Sequence, residues 1–373
     1  MPIEVSAAVL RQRHAPFTLE SLWLDDPRDD EVLVELHSVG ICHTDVKMAE
    51  GYLPLPLPVV LGHEGAGVVV SVGSAVMGVA PGDRVVLSFN ACGGCSSCRQ
   101  RHPAYCEQAA ALTFSCRRQA DGGSPLRAAD GPVHGYFFGQ SSFASHAITT
   151  GANVVRIARD VPLTLPGVLG CGVQTGAGTV LNVLRPTAGQ SLAVFGVGTV
   201  GLSAVMAARL LGVAPLIAID VLPQRLALAE ELGATHTVLA TPGSDVLAAV
   251  RAASGGRGVH CSLDTTNVPA VVRQAFESLG PRGTYAHVGG GGQDLVFPGS
   301  QLLPGRTITG VVQGDSHPQT FIPQLLDHQR RGEFPFERLI RHYPFAAIND
   351  AVADMQAGRC IKPVLLFDTP APT

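Results

Sequence analysis

The glycine run Gly196-Val197-Gly198-Thr199-Val200-Gly201 follows the apolar run Leu192-Ala193-Val194-Phe195 and opens a helical pattern. A bare G-x-G-x-x-G is common by chance, but between a strand and a helix each glycine has a task. Gly196 makes the turn, Gly198 lets a pyrophosphate approach the backbone, and Gly201 lets the helix pack closely. Asp220 closes the next strand. A carboxylate there can bond both ribose hydroxyls of a dinucleotide and repel a 2′-phosphate, so NAD is expected over NADP.

The surrounding pattern supports that reading. Strands are expected at 191–195, 215–220, 236–239, 259–264, 284–288 and 307–312, with helices near 199–211, 223–232, 244–254 and 269–279. Strand then helix, repeated, predicts an α/β class with an open, doubly wound parallel sheet. Residues 1 to about 170 differ: short β-branched runs such as Glu31-Val32-Leu33-Val34-Glu35-Leu36 alternate with Gly/Pro turns, as in a β-rich barrel or sandwich. A chain of 373 residues, 46% hydrophobic, exceeds the ~250–300 residues at which single cores stop growing. The expected division is 1–172, 173–312 and a tail, 313–373, that returns to the first domain. The tail carries helical patterns near 320–331 and 346–357 and a last strand at 363–367.

The stretch 191–219 is almost wholly apolar, with Arg209 as its only charge. Gly196 and Gly198 interrupt it before the ~20 helical residues that a membrane span needs, so no membrane association is expected. The simple runs at 53–58 and 289–292 read as loops. So does 115–131, a solvated segment with Arg117, Arg118 and Arg127 that can shape oligomer contacts. A formal charge of −4 without any Lys/Arg run argues against nucleic acid as a partner. The start, Met1-Pro2-Ile3-Glu4-Val5, lacks a signal-peptide pattern, so a reducing, cytoplasmic setting is expected for the nine cysteines. Metal binding or catalysis then outranks disulfides.

Four of those cysteines lie close together, as Cys92-Gly93-Gly94-Cys95-Ser96-Ser97-Cys98 followed by Cys106. Thiolates so spaced on a glycine-rich loop can close a tetrahedron, as a structural zinc requires. An iron–sulfur cluster fits less well, because the bacterial ferredoxin run places its fourth cysteine after three residues and follows it with proline. Here Glu107 follows Cys106. A closed site of this kind stabilises its lobe and does not react.

A second set is spread along the chain: Cys42 within Gly40-Ile41-Cys42-His43-Thr44-Asp45, His63 within Gly62-His63-Glu64-Gly65, and Cys171 within Gly170-Cys171-Gly172. Each alone reads as an ordinary core residue. Together they offer two thiolates and one imidazole, a three-ligand zinc set with a fourth position left for water or substrate. Asp45 and Glu64 supply carboxylates that can orient the ligands. Cys116, Cys261 and Cys360 belong to neither set and read as small core or surface residues.

These motifs together resemble the zinc-dependent medium-chain alcohol dehydrogenases, over nearly the whole chain from Cys42 to Lys362. Phe89-Asn90, the run Phe137-Phe138-Gly139-Gln140-Ser141-Ser142-Phe143, and Gln313-Gly314-Asp315 look like the bacterial branch acting on benzylic and allylic terpene alcohols. The resemblance implies a GroES-like catalytic domain, a Rossmann domain, and zinc at the cleft between them. It implies catalytic zinc on Cys42, His63 and Cys171, and structural zinc on Cys92, Cys95, Cys98 and Cys106. Thr44 would begin a proton relay, His43 and Lys362 would contact the pyrophosphate, and Arg225 would lie near the adenosine ribose. Leu53, Ser88, Phe137 and Phe138 match substrate-pocket positions. The implied activity is reversible oxidation of a primary alcohol to an aldehyde with NAD and two zinc ions per chain, in a homodimer or homotetramer. Glutathione-adduct (formaldehyde) oxidation by a related dehydrogenase is the alternative within enzymes. A non-catalytic NAD-binding regulator and a zinc-ribbon interaction module are the alternatives outside them. One position departs from the pattern: many members carry a relay histidine where this chain has Lys47. A lysine, with an ordinary pKa near ~10.4, makes a poor terminal base at neutral pH, so Lys47 is expected to contact cofactor ribose or phosphate.

Overall fold

A computed structural model describes residues 1–290 and 294–368. The chain forms two compact units. Met1–Cys171, His317–Leu326 and the residues from Glu337 onward make the first; Gly172–Ser316 and Asp327–Phe336 make the second.

In the second unit, Leu192–Phe195 and Leu216–Asp220 are buried along their whole length, which requires cover on both faces of a sheet. Among the described residues six parallel strands lie side by side. Their order is His236–Leu239, Leu216–Asp220, Leu192–Phe195, Val259–Asp264, Leu279–Val288 and Thr307–Val311. This is the doubly wound Rossmann arrangement, with the glycine run leaving the strand from which the two halves diverge. Helices Thr199–Leu210, Pro223–Leu232, Val246–Ala253 and Pro269–Glu277 connect the strands. Two of them begin with proline, whose missing N–H costs nothing there. A third is capped by Asp245, which accepts from Ala248 N at 2.9 Å. A Cβ on Gly201 would stand 2.0 Å from the Gly196 carbonyl oxygen, so only glycine lets this helix settle on its own loop. The strand expected at 284–288 starts earlier, at Leu279, because Leu279 pairs with Val259 before a register irregularity that next pairs Thr284 with Cys261. The apolar stretch 191–219 is strand, twelve-residue helix and strand. Among the described residues no helix is long and apolar enough to cross a membrane. Gly291 and Gly292 of the expected loop lie outside the described residues.

The first unit contains a five-stranded and a seven-stranded sheet. Strand Glu31–Gly40 is the organising element of the larger one. It pairs antiparallel with Gly65–Val72, His146–Thr150 and Lys362–Leu366. Apolar side chains Val32, Val34 and Leu36 on one face pack with Val69, Val85 and Leu87. Cys116, Cys261 and Cys360 are buried.

The segment 115–131 corrects the expectation of a solvated loop in part: Arg117 and Arg127 are exposed, but Arg118 is not. Leu126–Ala128 joins the five-stranded sheet beside Thr18–Leu24, and Arg118 is only 4% exposed. Its Nε and Nη2 each donate to the buried Glu31 carboxylate at 2.9 Å, and Nη1 donates to Asp25 at 3.0 Å. Tyr136 OH adds a third donor to Glu31 at 2.8 Å. Burial alone pushes the Glu31 carboxyl up, but Arg118, the Arg28 N–H and Tyr136 outweigh it and hold it below the usual range. A depressed carboxyl contributes stability that is full above its unfolded pKa and is lost as pH falls through the folded one. Arg118→Ala leaves a buried carboxylate without its main partner, a loss of about 3–5 kcal/mol. A lowered urea midpoint for the first unit checks this, and an unchanged midpoint contradicts it.

Candidate metal centre and dinucleotide loop

Three chain segments of the first unit converge on one buried point. Strand Glu31–Gly40 ends just before Cys42, which precedes helix His43–Ala49. His63 and Glu64 lead into strand Gly65–Val72, and Cys171 follows the turn Pro166–Gly170. One ligand atom each from Cys42, His63, Glu64 and Cys171 lies within 4.8 Å of all the others. The expected outer carboxylate Glu64 thus stands in the ligand group itself.

Asp45, fully buried, ties these segments together. Oδ2 accepts from Cys42 N at 3.0 Å, closing the helix N-terminus. Oδ1 accepts from Gly62 N at 3.1 Å and meets His63 Nδ1 at 2.8 Å. With Nδ1 committed to the carboxylate, Nε2 is the ring nitrogen left for the cluster, and it is buried with no hydrogen-bond partner. An orphaned buried nitrogen among two sulfurs is what a metal ligand looks like before the ion is added. Burial opposes charge on His63, yet Asp45 and Cys42 together raise its pKa to about 10. The contact with Cys171 holds the Cys42 thiol well below its ordinary range, and the same contact pushes Cys171 well above. A divalent cation takes the place of such protons.

Lys362 is the residue whose place differs most from expectation. Its ammonium is buried, pairs with Glu64 at 2.5 Å and donates to the Ile41 carbonyl at 3.0 Å. It is held inside the site by that carboxylate, where a pyrophosphate contact was expected. Burial pushes Glu64 up to about 7 against the pull of Lys362. Two thiolates and the Glu64 and Asp45 carboxylates outweigh the one ammonium, and a divalent cation would offset most of that excess negative charge in a buried site. Sulfur and imidazole donors select zinc among the common divalent ions.

The other expected residues of this unit are placed as follows. Thr44 Oγ1 lies 3.7 Å from Cys42 Sγ. His43 and Lys47 are exposed. Ser88, 1% exposed, donates to the Gly170 carbonyl at 2.9 Å. Phe137 is fully buried, so it is core and not an open pocket wall. Phe138 stacks on the His63 ring with centroids 4.2 Å apart. Leu53 packs on the core while partly exposed. Gln140 was missed: its side chain donates to the carbonyls of His63 at 3.1 Å and Ser88 at 2.9 Å, bracing the ligand loop. The run 137–143 resembles one branch of the family, but nothing in it marks Gln140 as a brace.

Cys92, Cys95, Cys98 and Cys106 also bring their sulfurs within 4.8 Å of one another. Cys106 Sγ accepts from Cys92 N at 3.3 Å and Gln108 N at 3.4 Å. Backbone N–H groups, Glu107 first, lower Cys95 to about 6, whereas burial raises Cys98 to about 12.

In the second unit, Asp220 Oδ2 accepts from Val197 N at 2.8 Å and Oδ1 from Leu222 N at 3.0 Å, with Arg225 Nη1 at 3.7 Å from Oδ2. Arg225 Nε is buried without a hydrogen-bond partner. A Cβ on Gly198 would meet nothing nearer than Arg225 Nη1 at 4.0 Å, so the fold itself does not demand glycine there. An open backbone beside an unsatisfied guanidinium donor fits an anionic ligand such as a pyrophosphate.

Comparison with known proteins gives the same outline. Residues 28–159 match the alcohol dehydrogenase GroES-like domain, and residues 199–328 match the zinc-binding dehydrogenase domain. The chain is 46% identical over 368 residues to geraniol dehydrogenase of Castellaniella defragrans, covering 98% of each. It is similar to the crystal structure of an alcohol dehydrogenase zinc-binding domain protein from Burkholderia ambifaria, at 49% identity and TM-score 0.96, covering 99% of this chain and 100% of that one. Benzyl alcohol dehydrogenase from Acinetobacter calcoaceticus is similar at 39% identity and TM-score 0.94, covering 98% and 99%. With both domains matched and the relationship running from end to end, the chain belongs to the zinc-dependent medium-chain alcohol dehydrogenase family.

Proposed function

We propose that this alcohol dehydrogenase oxidises primary benzylic or allylic terpene alcohols to aldehydes, reversibly, with NAD as hydride acceptor and two zinc ions per chain. The observation that carries the reading is His63 Nε2, a buried nitrogen without a partner beside Cys42 and Cys171, in a chain close to a geraniol dehydrogenase. Cys42, His63 and Cys171 would hold the catalytic ion, and Cys92, Cys95, Cys98 and Cys106 the structural one. When bound, zinc supplies a Lewis acid for the alcohol oxygen and the nicotinamide supplies the hydride acceptor.

The chain's own residues do the rest. Asp45 keeps the His63 proton on Nδ1, so that Nε2 presents its lone pair. Thr44, beside Cys42 Sγ, takes the alcohol proton on its hydroxyl and passes it outward to water. Lys47, exposed at the last turn of its helix, meets ribose or phosphate. Lys362 pairs with Glu64 and would offset its charge beside the ion. Asp220, already fixed by two backbone N–H groups, offers its remaining lone pairs to the ribose hydroxyls.

NADH absorbance tests the reading. Benzyl alcohol and geraniol are expected to give much higher kcat/KM than ethanol, since each further buried CH₂ contributes ~0.8 kcal/mol. Equal efficiency for ethanol, or preference for S-hydroxymethylglutathione, would contradict the substrate class. Asp220→Gly is expected to raise the KM for NAD and relax discrimination against NADP; a parent enzyme that already uses both equally would remove that role.

A further inference from the structure

A single hydrogen bond tolerates a range of angles, so it holds a ring plane only loosely. The His63 ring turns about its Cβ–Cγ bond, and the Asp45 contact to Nδ1, 2.8 Å long, limits that turn only within the angular breadth of one hydrogen bond; further rotation swings the Nε2 lone pair away from the two sulfurs. The ring plane needs a second constraint. Phe138 supplies one: its ring lies 4.2 Å from the His63 ring, centroid to centroid, with planes 19° apart. Phe137 approaches the same imidazole edge-on at 5.8 Å and 78°, and Phe114 buttresses Phe138 at 5.7 Å.

The backbone at Phe138 points the same way. Its φ of 54° and ψ of 26° are left-handed, a conformation that bulky residues avoid and that persists only where neighbours over-determine it. Asn153 Nδ2 holds the Phe138 carbonyl at 3.0 Å, Ser141 Oγ accepts from Phe137 N at 2.9 Å, and Tyr136 OH is anchored on Glu31 at 2.8 Å. Gln140, two residues on, donates to the carbonyl of His63 itself at 3.1 Å. The strained turn and the ligand are one built unit.

We propose that Phe138 is a positioning residue: its face, held by a strained turn, sets the plane of the His63 imidazole and so preorganises the Cys42–His63–Cys171 site for its metal. This rests on the proposed metal role of that site and assigns Phe138 a task other than lining a substrate pocket. Phe138→Leu retains apolar bulk but has no flat face, Phe138→Gly accepts the backbone conformation without any side chain, and Phe138→Tyr retains the ring.

The test titrates zinc and cobalt(II) against a chelator in the full-length protein, reads the cobalt–thiolate spectrum of the site, and uses metal retention by the four-cysteine lobe as the control for folding. Affinity of the Cys42–His63–Cys171 site is expected to fall at least about tenfold in the Leu and Gly variants, the scale seen when residues that orient metal ligands are lost. The cobalt spectrum should shift, the lobe should be unaffected, and Phe138→Tyr should restore both affinity and spectrum. Unchanged affinity and spectrum in the Leu or Gly variant would overturn the proposal. So would an equal loss in Phe138→Tyr, or loss of both metals in Leu and Gly alike, which would mark Phe138 as a folding residue. A parent protein that holds metal only in the four-cysteine lobe would instead overturn the metal reading itself.

Discussion

The Asp45 carboxylate is the interaction on which the rest of the site depends. A buried carboxylate is costly unless N–H donors surround it, and this one has three, from Cys42 N, Gly62 N and His63 Nδ1. Each donor belongs to a different piece of the site: a helix start, a loop and a ligand ring. Satisfying one charge therefore fixes two ligands relative to each other and selects the tautomer that leaves Nε2 as an acceptor. Helix capping, loop placement and ligand chemistry come from the same three bonds.

Around that point lies a second layer with its own logic. Lys362 balances Glu64 within the ligand group, Gln140 ties the His63 loop to Ser88, just past strand Arg84–Leu87, and Phe138 covers the imidazole face. Each contact restrains a degree of freedom that Asp45 leaves open. In the second unit the corresponding economy is at Asp220, which stitches the glycine loop to the next strand by its bond to Val197 N while keeping acceptor capacity for a ligand.

What could be read in the sequence was what depends on local pattern. Alternating strand and helix periods gave the parallel sheet, because continuous apolar strands and capped helices are short-range signals. The Cys92–Cys106 spacing gave a four-sulfur cluster for the same reason. Cys42, His63 and Cys171 lie far apart in the chain, and only their summed donor chemistry made a set of them. What stayed hidden was tertiary. No local feature shows that Lys362 turns inward to Glu64, since a lysine in an apolar strand ordinarily reads as a surface group. Arg118 looked solvated because its partner Glu31 is 87 residues away. Phe137 and Phe138 looked equivalent as neighbours, and only the left-handed turn separates core filler from the ring that stacks on His63.

The central claim is that the chain holds two metal sites with different donors, one of four thiolates and one of two thiolates with an imidazole. X-ray absorption at the zinc edge of the loaded protein measures this directly. Six thiolates shared between two ions predict two zincs per chain, three sulfur neighbours per zinc on average, and outer scattering from an imidazole ring. One zinc per chain with four sulfurs and no imidazole signal, or iron with a cluster spectrum, would contradict the account.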